Sequence, residues 1–559
     1  MVAETNSVAE STADLGPRPG LWSKVHQHLQ LNSADAIRRS NADLDPVPPH
    51  RRTWHTYNYV MYWISDNFSP SGFRNAASLM QVGLSWRDSL ICVIMGQFIT
   101  GIVIVFNGVV GSRYHINFSV QSRASFGYYF SYLMIIMRMV VGTFWYGINA
   151  YTGGECVRSI LYAIWPSFHN VKNTLPASAH VDTQFMTAYV IYFIIVIPVH
   201  WIPMHRLKWL FVIKSITTPI VGFAIMGWVI HTVGYSNASL WTQKTTLSGS
   251  ALAWTFLNGL YANIGSWSTL AVNVPDFTRY AVNDKAAFIT VFVLPATGAL
   301  VTFFGVVVAA GSDILYGQIL WDPLLLIDHW TSPGGRAAAF FCAFFFLISQ
   351  IGVNIAANSV SAANDLNCLF PRYINIRRGQ LIVAFIGSWA LTPWNILQSA
   401  PAFISFMAGY AIWLGPIAGI LLSDFYLVHK QKYDVWELYN RNGIYRYNKI
   451  GTNWRAFVAF FIGWVPLLPG FIPTVNSSIK VSAGVSHLYD LGYFYGFGAA
   501  MLSYYLLCTF WPAKETMLER AVLPDSDLLH SPNQAFMMDE GIEAALGETV
   551  IEAKHEKHL

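Results

Sequence analysis

Twelve apolar runs of about 20 residues divide the chain, the length a helix needs to cross the hydrocarbon core of a bilayer. They lie at 58–80, 88–110, 129–163, 186–204, 209–233, 252–274, 287–311, 337–366, 380–398, 401–427, 456–474 and 490–511. The pattern predicts an all-α integral membrane protein with twelve transmembrane helices over 54–512. A polar N-terminal tail, 1–53, precedes them and a polar C-terminal tail, 513–559, follows.

Two runs are interrupted. The first contains Asp66-Asn67-Phe68-Ser69-Pro70-Ser71-Gly72, where Pro70 removes a helical donor and Gly72 loosens the backbone. The sixth has a soft point at Gly265-Ser266, followed by Trp267, and closes on Asn273-Val274-Pro275-Asp276. Breaks five runs apart are what an inverted five-helix repeat gives, with substrate at the midplane beside unwound backbone. Two proline kinks, which membrane helices tolerate, are the alternative.

The eighth run changes character partway. FFCAFFFLI gives way to SQIGVNIAANSVSAAND over 349–365. Asn354, Asn358, Ser361 and Asp365 fall on one helical face. Such a stripe is costly in lipid and must face other helices or a wet cavity. It either lines a substrate site in a transporter or ties helices together by hydrogen bonds. In the third run Trp145 and Asn149 are four apart, placing a flat indole beside a carboxamide. A planar heterocycle can stack on one and hydrogen-bond to the other, with Trp267 supplying the opposite face. By composition alone, a buried tryptophan is more commonly core.

Composition agrees with the runs. The 559 residues are 54% hydrophobic and 11% charged, against roughly 25% charged in soluble proteins. The charges sit mostly in loops and tails, so the net +4 gives no sign of a nucleic-acid partner. With the N-terminus in the cytosol, inside loops carry fifteen Lys and Arg, and outside loops five: Arg87, Lys172, Lys244, Arg336 and Lys480. That bias places both tails in the cytosol. The sequons at Asn237 and Asn476 fall in predicted outside loops, which agrees. No cleaved signal is expected from the polar first 50 residues. The five cysteines are scattered as small core residues, and neither a metal site nor a cofactor is expected.

Several stretches resemble the nucleobase–cation symporter-1 (purine-cytosine permease-like) family, in particular its fungal uracil, allantoin and uridine permease branch. They are DLDPVPPHRRTW (43–54), YHINFSVQSRASFG (114–127), WYGINAYTGG (145–154), NVPDFTRYA (273–281), NIAANS (354–359), LFPRYINIRRG (369–379), NWRAFVAF (453–460) and PLLPGFI (466–472). The resemblance implies a LeuT-like fold, with ten helices in two inverted repeats of five and two helices appended. It also implies alternating-access symport of a heterocycle. Carried over, Trp145 and Trp267 fall on the substrate-stacking aromatics, and Asn358 on the substrate asparagine. Asn149 stands where the family usually has glutamine, and Asp365 on an acidic position important in the fungal branch. Asn354 and Ser69 join them as candidate substrate contacts.

Two departures matter. Asn149 is one methylene shorter than glutamine, as in the similar thiamine and nicotinamide riboside transporters, which weakens a claim on uracil itself. Arg74, just after the first break, needs a carboxylate or an anion. Glu155 and Asp66 are candidate partners, with a structural ion pair or a vestibule charge as the plainer reading. Sodium-coupled relatives place hydroxyl oxygens where this chain has Gly352 and Val353. Losing two ligands from a site that wants five or six oxygens argues for protons. Asp365, Asp66 and Glu155 are then candidate proton carriers, Asp365 first.

The expected protein is a proton-coupled plasma-membrane symporter for a nucleobase-related heterocycle, passing through or residing in endoplasmic reticulum and Golgi; a B-vitamin symporter of the same fold is the alternative. An enzyme would need a nucleophile–base pair or clustered metal ligands, and the histidines are dispersed. A transport-dead sensor would keep the same pocket. Lys514, Lys554 and Lys557 are candidate ubiquitin acceptors for an endocytic ligase, in what is otherwise an ordinary solvated tail.

Overall fold

Each of the twelve apolar runs is helical, and polar residues at their edges set where the helices begin. Ser85, Asp182, Asn375, Ser399 and Asn453 each accept a hydrogen bond from a backbone N–H two or three residues on. These caps satisfy donors that the first helical turn leaves unpaired. The computed structural model describes residues 30–31, 40–202, 208–241 and 245–525. Arg206, one of the fifteen inside-loop charges, and Lys244, Lys554 and Lys557 lie outside the described residues.

Eight of the described helices are long and apolar enough to cross a membrane, or nine if Ala483–Asp490 and Gly492–Phe510, bent by 75°, form one crossing. The remaining three of the twelve runs are the first, the sixth and the ninth. The first and sixth are diluted by the polar side chains that build the site below.

The first run is broken where expected, into Thr56–Asn67 and Pro70–Gln81. Phe68 leaves helical geometry and Ser69 is extended, while Pro70 starts the second half at the position that suits its fixed φ. The freed carbonyl of Phe68 accepts a 2.7 Å hydrogen bond from Ser349 Oγ of the eighth run. A Cβ on Gly72 would strike the Asn67 carbonyl and the Val301 side chain, so only glycine fits this corner.

The sixth run corrects the expectation. Gly249–Asn273 is one continuous helix through Gly265, and only the end at Pro275 is broken, into the short turn Pro275–Thr278. Gly265 serves packing instead: a Cβ there would collide with the Met407 carbonyl of the tenth run, Ala400–Leu422. A further discontinuity lies in the eighth run, where Pro333–Val353 passes into a π-helical turn, Asn354–Ser359, before Val360–Leu369; π turns also occur at Ile386–Ala390 and Ser423–Val428. Such wide turns favour functional sites because they re-aim side chains.

The helices pair across a separation of five. The second run (Trp86–Tyr114) packs on the seventh (Thr290–Tyr316), and the third (Ser131–Ile164) on the eighth. Trp63 of the first meets Trp267 of the sixth edge-on at 5.8 Å. The tenth run lies between the sixth and the twelfth.

A short helix not expected from the pattern, Phe118–Phe126, is buried along its whole length on the predicted cytoplasmic side. Nine residues, five of them polar, give no span signal. Arg123 and Arg279, counted above as loop charges, are buried and bond to the carbonyls of Leu438 and Asp43. Parts of both predicted tails pack against the bundle. Asn41 pairs with Asn367 at 2.6 Å and Val522 with Asp434, and Trp54, just past the N-terminal tail, pairs with Ala281. Arg52 and Asp525 join the two tails at 2.6 Å. All five cysteines are buried and unpaired.

Candidate functional site

A cavity opens where the first run breaks. Its empty space is about 580 Å³, counting the part open to solvent. Asp66, Asn67, Ser69, Ser71 and Asn75 line it from the first run, and Trp145 and Asn149 from the third. Ser266, Trp267 and Thr269 come from the sixth, and Asn358 from the eighth. The structure thus brings together Trp145, Asn149, Trp267, Asn358, Ser69 and Asp66. Asn354, Asp365, Glu155 and Arg74 do not line the cavity.

Both tryptophans are held by their edges. Trp145 Nε1 donates to Tyr410 OH at 2.9 Å, and Tyr410 OH donates to the Gly265 carbonyl at 2.8 Å. Phe406 packs edge-on against the same indole at 5.9 Å. Trp267 leans on Trp63, whose Nε1 donates to Thr290 Oγ1 at 2.8 Å. Fixed indoles present flat faces at little entropic cost.

The carboxamides are equally constrained. Asn149 Nδ2 donates to the Trp145 carbonyl at 3.1 Å. Its Oδ1 accepts from Ser71 Oγ at 3.2 Å and from Gln350 Nε2. Asn354 Nδ2 donates to the Tyr146 carbonyl at 3.1 Å, and Asn354 Oδ1 accepts from Asn358 Nδ2 at 3.2 Å. Both sequence readings of the stripe therefore have a share. Asn354 ties the eighth run to the third, and Asn358 reaches the cavity.

Arg74 and Asp365 each belong to a buried charged cluster. Arg74 bonds to Glu155 at 2.5 Å, to Thr152 at 2.7 Å and to Asp322. Of the two expected partners Glu155 is present. Asp66 is not among Arg74's recorded partners, and Asp322, from the stretch between the seventh and eighth runs, completes the pair. Arg74 is thus the structural ion pair of the plainer reading. It binds the second half of the first run to the third. Asp365 is ion-paired with Arg138 and accepts from Ser119 Oγ at 2.8 Å. Arg138 also donates to Ser361 Oγ at 2.5 Å and to the Ser361 carbonyl at 2.6 Å. Removing one member of such a buried pair leaves an uncompensated charge, at about 3–5 kcal/mol.

Asp66 differs. It lines the cavity, and its Oδ1 has no hydrogen-bond partner among the described residues. Lys214 of the fifth run (Lys208–Val233) is buried within electrostatic reach of it. A Cβ on Gly352 would meet Lys214 Cδ at 2.7 Å and Nζ at 3.3 Å, so this cation lies against the side-chain-free position of the eighth run.

Sequence reasoning missed Tyr410, Gln350, Asp322, Arg138 and Lys214. Arg138 and Lys214 did carry a signal, since an ionisable residue inside an apolar run marks a functional or paired site. Asp322 carried none, lying 248 residues from its partner Arg74.

Comparison with known proteins bears on this arrangement. Residues 46–496 match the family model described as permease for cytosine/purines, uracil, thiamine and allantoin. The chain is 44% identical to an uncharacterised permease of Schizosaccharomyces pombe over 92% of this chain and 93% of that one. It is 35% identical to the uridine permease of Saccharomyces cerevisiae (85% and 75% covered) and 32% identical to that yeast's uracil permease (91% and 83%). Among solved structures the fold resembles Mhp1, a nucleobase-cation-symport-1 family transporter, closed with bromovinylhydantoin bound. The TM-score is 0.67 at 22% identity, over 85% of this chain and 96% of that one.

Proposed function

The chain belongs to the family of permeases for cytosine/purines, uracil, thiamine and allantoin, and from that premise we propose that it carries a nucleobase-related heterocycle of the uracil, uridine or allantoin class across the plasma membrane. The observation that carries this reading is the convergence of Trp145, Trp267, Asn149 and Asn358 on one cavity at the break in the first run. The ring stacks between fixed indoles, and the two carboxamides meet its polar edge. The helices around the cavity rock about the bound ligand to open it to either side.

Coupling to protons is part of the proposal. Gly352 and Val353 offer no side-chain oxygen, and the Lys214 side chain fills the space beside Gly352. Asp66 replaces Asp365 as the favoured proton carrier, because it faces the cavity while Asp365 is committed to Arg138. The loop charges support two cytosolic tails. Lys514 is exposed and open to ubiquitin ligation.

One observation keeps a B-vitamin cargo as the second reading. Arg74 is neutralised outside the cavity while the Asp66 carboxylate lines it, so a cationic ring meets an acidic group and no basic side chain among the residues of the cavity wall. The similar nicotinamide riboside transporter 1 and thiamine transporter of Saccharomyces cerevisiae are each 30% identical to this chain. Competitive uptake in cells lacking their own permeases, at acidic and neutral pH, decides. Competition by uracil, uridine or allantoin, faster in acid and without sodium, supports the first reading. Competition by thiamine or nicotinamide riboside alone moves the cargo to the second.

A further inference from the structure

Gln350 lies on the eighth run one turn before Asn354, fully buried and outside the cavity wall. Its Nε2 donates to Asn149 Oδ1, while its own Oε1 has no partner among the described residues. As a space-filler it is a poor choice. A methionine packs in the same volume without stranding a buried acceptor. Its one hydrogen bond goes to a residue of the cavity wall, so the reason for a glutamine lies there.

A carboxamide offers a ligand a donor or an acceptor, and a half-turn exchanges them. At Asn149 the protein makes that choice. Nδ2 is held against the Trp145 carbonyl, which can only accept. Oδ1 is occupied by Ser71 and Gln350, which uses both of its lone pairs. What remains for a ligand is the second N–H of Nδ2. A parallel chain operates on the other carboxamide. The Tyr146 carbonyl fixes Asn354, whose Oδ1 takes one N–H of Asn358, and the Oδ1 of Asn358 is left as an acceptor.

We propose that Gln350 is a positioning residue that turns the acceptor of Asn149 away from the cavity, so that the site selects a ligand edge with a carbonyl for Asn149 and an N–H for Asn358. That edge is a lactam or ureide, –NH–C(=O)–. The inference rests on the reading of this cavity as the substrate site.

The test uses the purified full-length protein and ligand-induced thermal shifts with uracil, 2-thiouracil and 4-thiouracil. A thiocarbonyl is a weaker acceptor than a carbonyl. In the native protein at least one of the two exchanges weakens binding about tenfold, the loss of roughly one hydrogen bond. In Gln350→Met that ratio falls to about threefold or less, while affinity for the thio compound is unchanged. An unchanged ratio, or an equal loss for oxo and thio ligands, overturns the proposal. A second measurement needs no ligand: the melting temperatures of Gln350→Met, Asn149→Leu and the double variant. Non-additive shifts support the pairing, and additive shifts overturn it. If the native protein binds none of the three compounds, the cargo reading fails, and the melting cycle alone decides the role of Gln350.

Discussion

Trp145 is held by the hydrogen bond from its Nε1 to Tyr410 OH and by the edge-on contact with Phe406. Trp145→Ala therefore abolishes uptake while surface labelling shows normal delivery; normal uptake would remove this indole from the site. Tyr410→Phe breaks the link to Gly265 but keeps the ring, and weakens apparent affinity by about five- to tenfold, one to one and a half hydrogen bonds' worth. The carboxylates divide by their neighbours. Asp66→Asn removes a cavity-facing group and abolishes acid stimulation of uptake with protein still at the surface. Asp365→Asn leaves Arg138 buried beside a neutral partner, and lowers the amount of folded protein rather than its pH response. The opposite pattern, with Asp365→Asn delivered normally but insensitive to acid, would restore Asp365 as the proton carrier.

At the scale of elements, discontinuities place the site. The first run breaks because Pro70 lacks an N–H and Ser349 takes up the orphaned Phe68 carbonyl. The sixth run stays helical through Gly265, whose missing side chain lets the tenth run approach its backbone. Gly265→Ala forces those helices apart at the point where Tyr410 anchors. It should cost about 1–3 kcal/mol, the usual range for overpacking. The measurement is the unfolding transition in detergent together with uptake, and both should fall. If only uptake fell, the close approach would serve the site without supporting the fold. The π turn at Asn354–Ser359 gives the eighth run its second geometry, and brings Asn358 to the cavity while Asn354 stays on the third run.

For the whole molecule, the Arg52–Asp525 pair closes one face by linking the two tails. The hydrogen bond from Arg52 holds the Asp525 carboxyl below the usual carboxylate range. A carboxylate whose folded pKa is depressed contributes stability above its unfolded value, and loses it as pH falls through the folded value. Asp525→Asn should thus lower the melting temperature slightly at neutral pH and not at all in strong acid. The pair is partly exposed, so the effect is small. A difference that persisted in strong acid would mean that the variant acts through something other than this pair. The topology has its own test. With both tails in the cytosol Asn476 is outside, where it is exposed, and Asn476→Gln removes a glycan shift on a gel. Absence of any shift at Asn476 and Asn237 alike counts against the orientation.

The chain by itself determined the twelve helical runs, the break at Pro70 and the residue types of the cavity. Apolar length, a missing N–H and polar residues inside apolar runs are local properties, and each is written in consecutive residues. Trp145 with Asn149, and Asn354 with Asn358, were legible because four residues make one helical turn. Tertiary structure alone decided which of these polar groups face the cavity and which face each other. Arg74 finds Asp322 across 248 residues, Arg138 captures Asp365 across 227, and Gln350 reaches Asn149 across 201. No periodicity encodes such pairings, since they depend on which helix faces lie together once the bundle closes. That closure set Asp365 against Arg138 and left Asp66 facing the cavity.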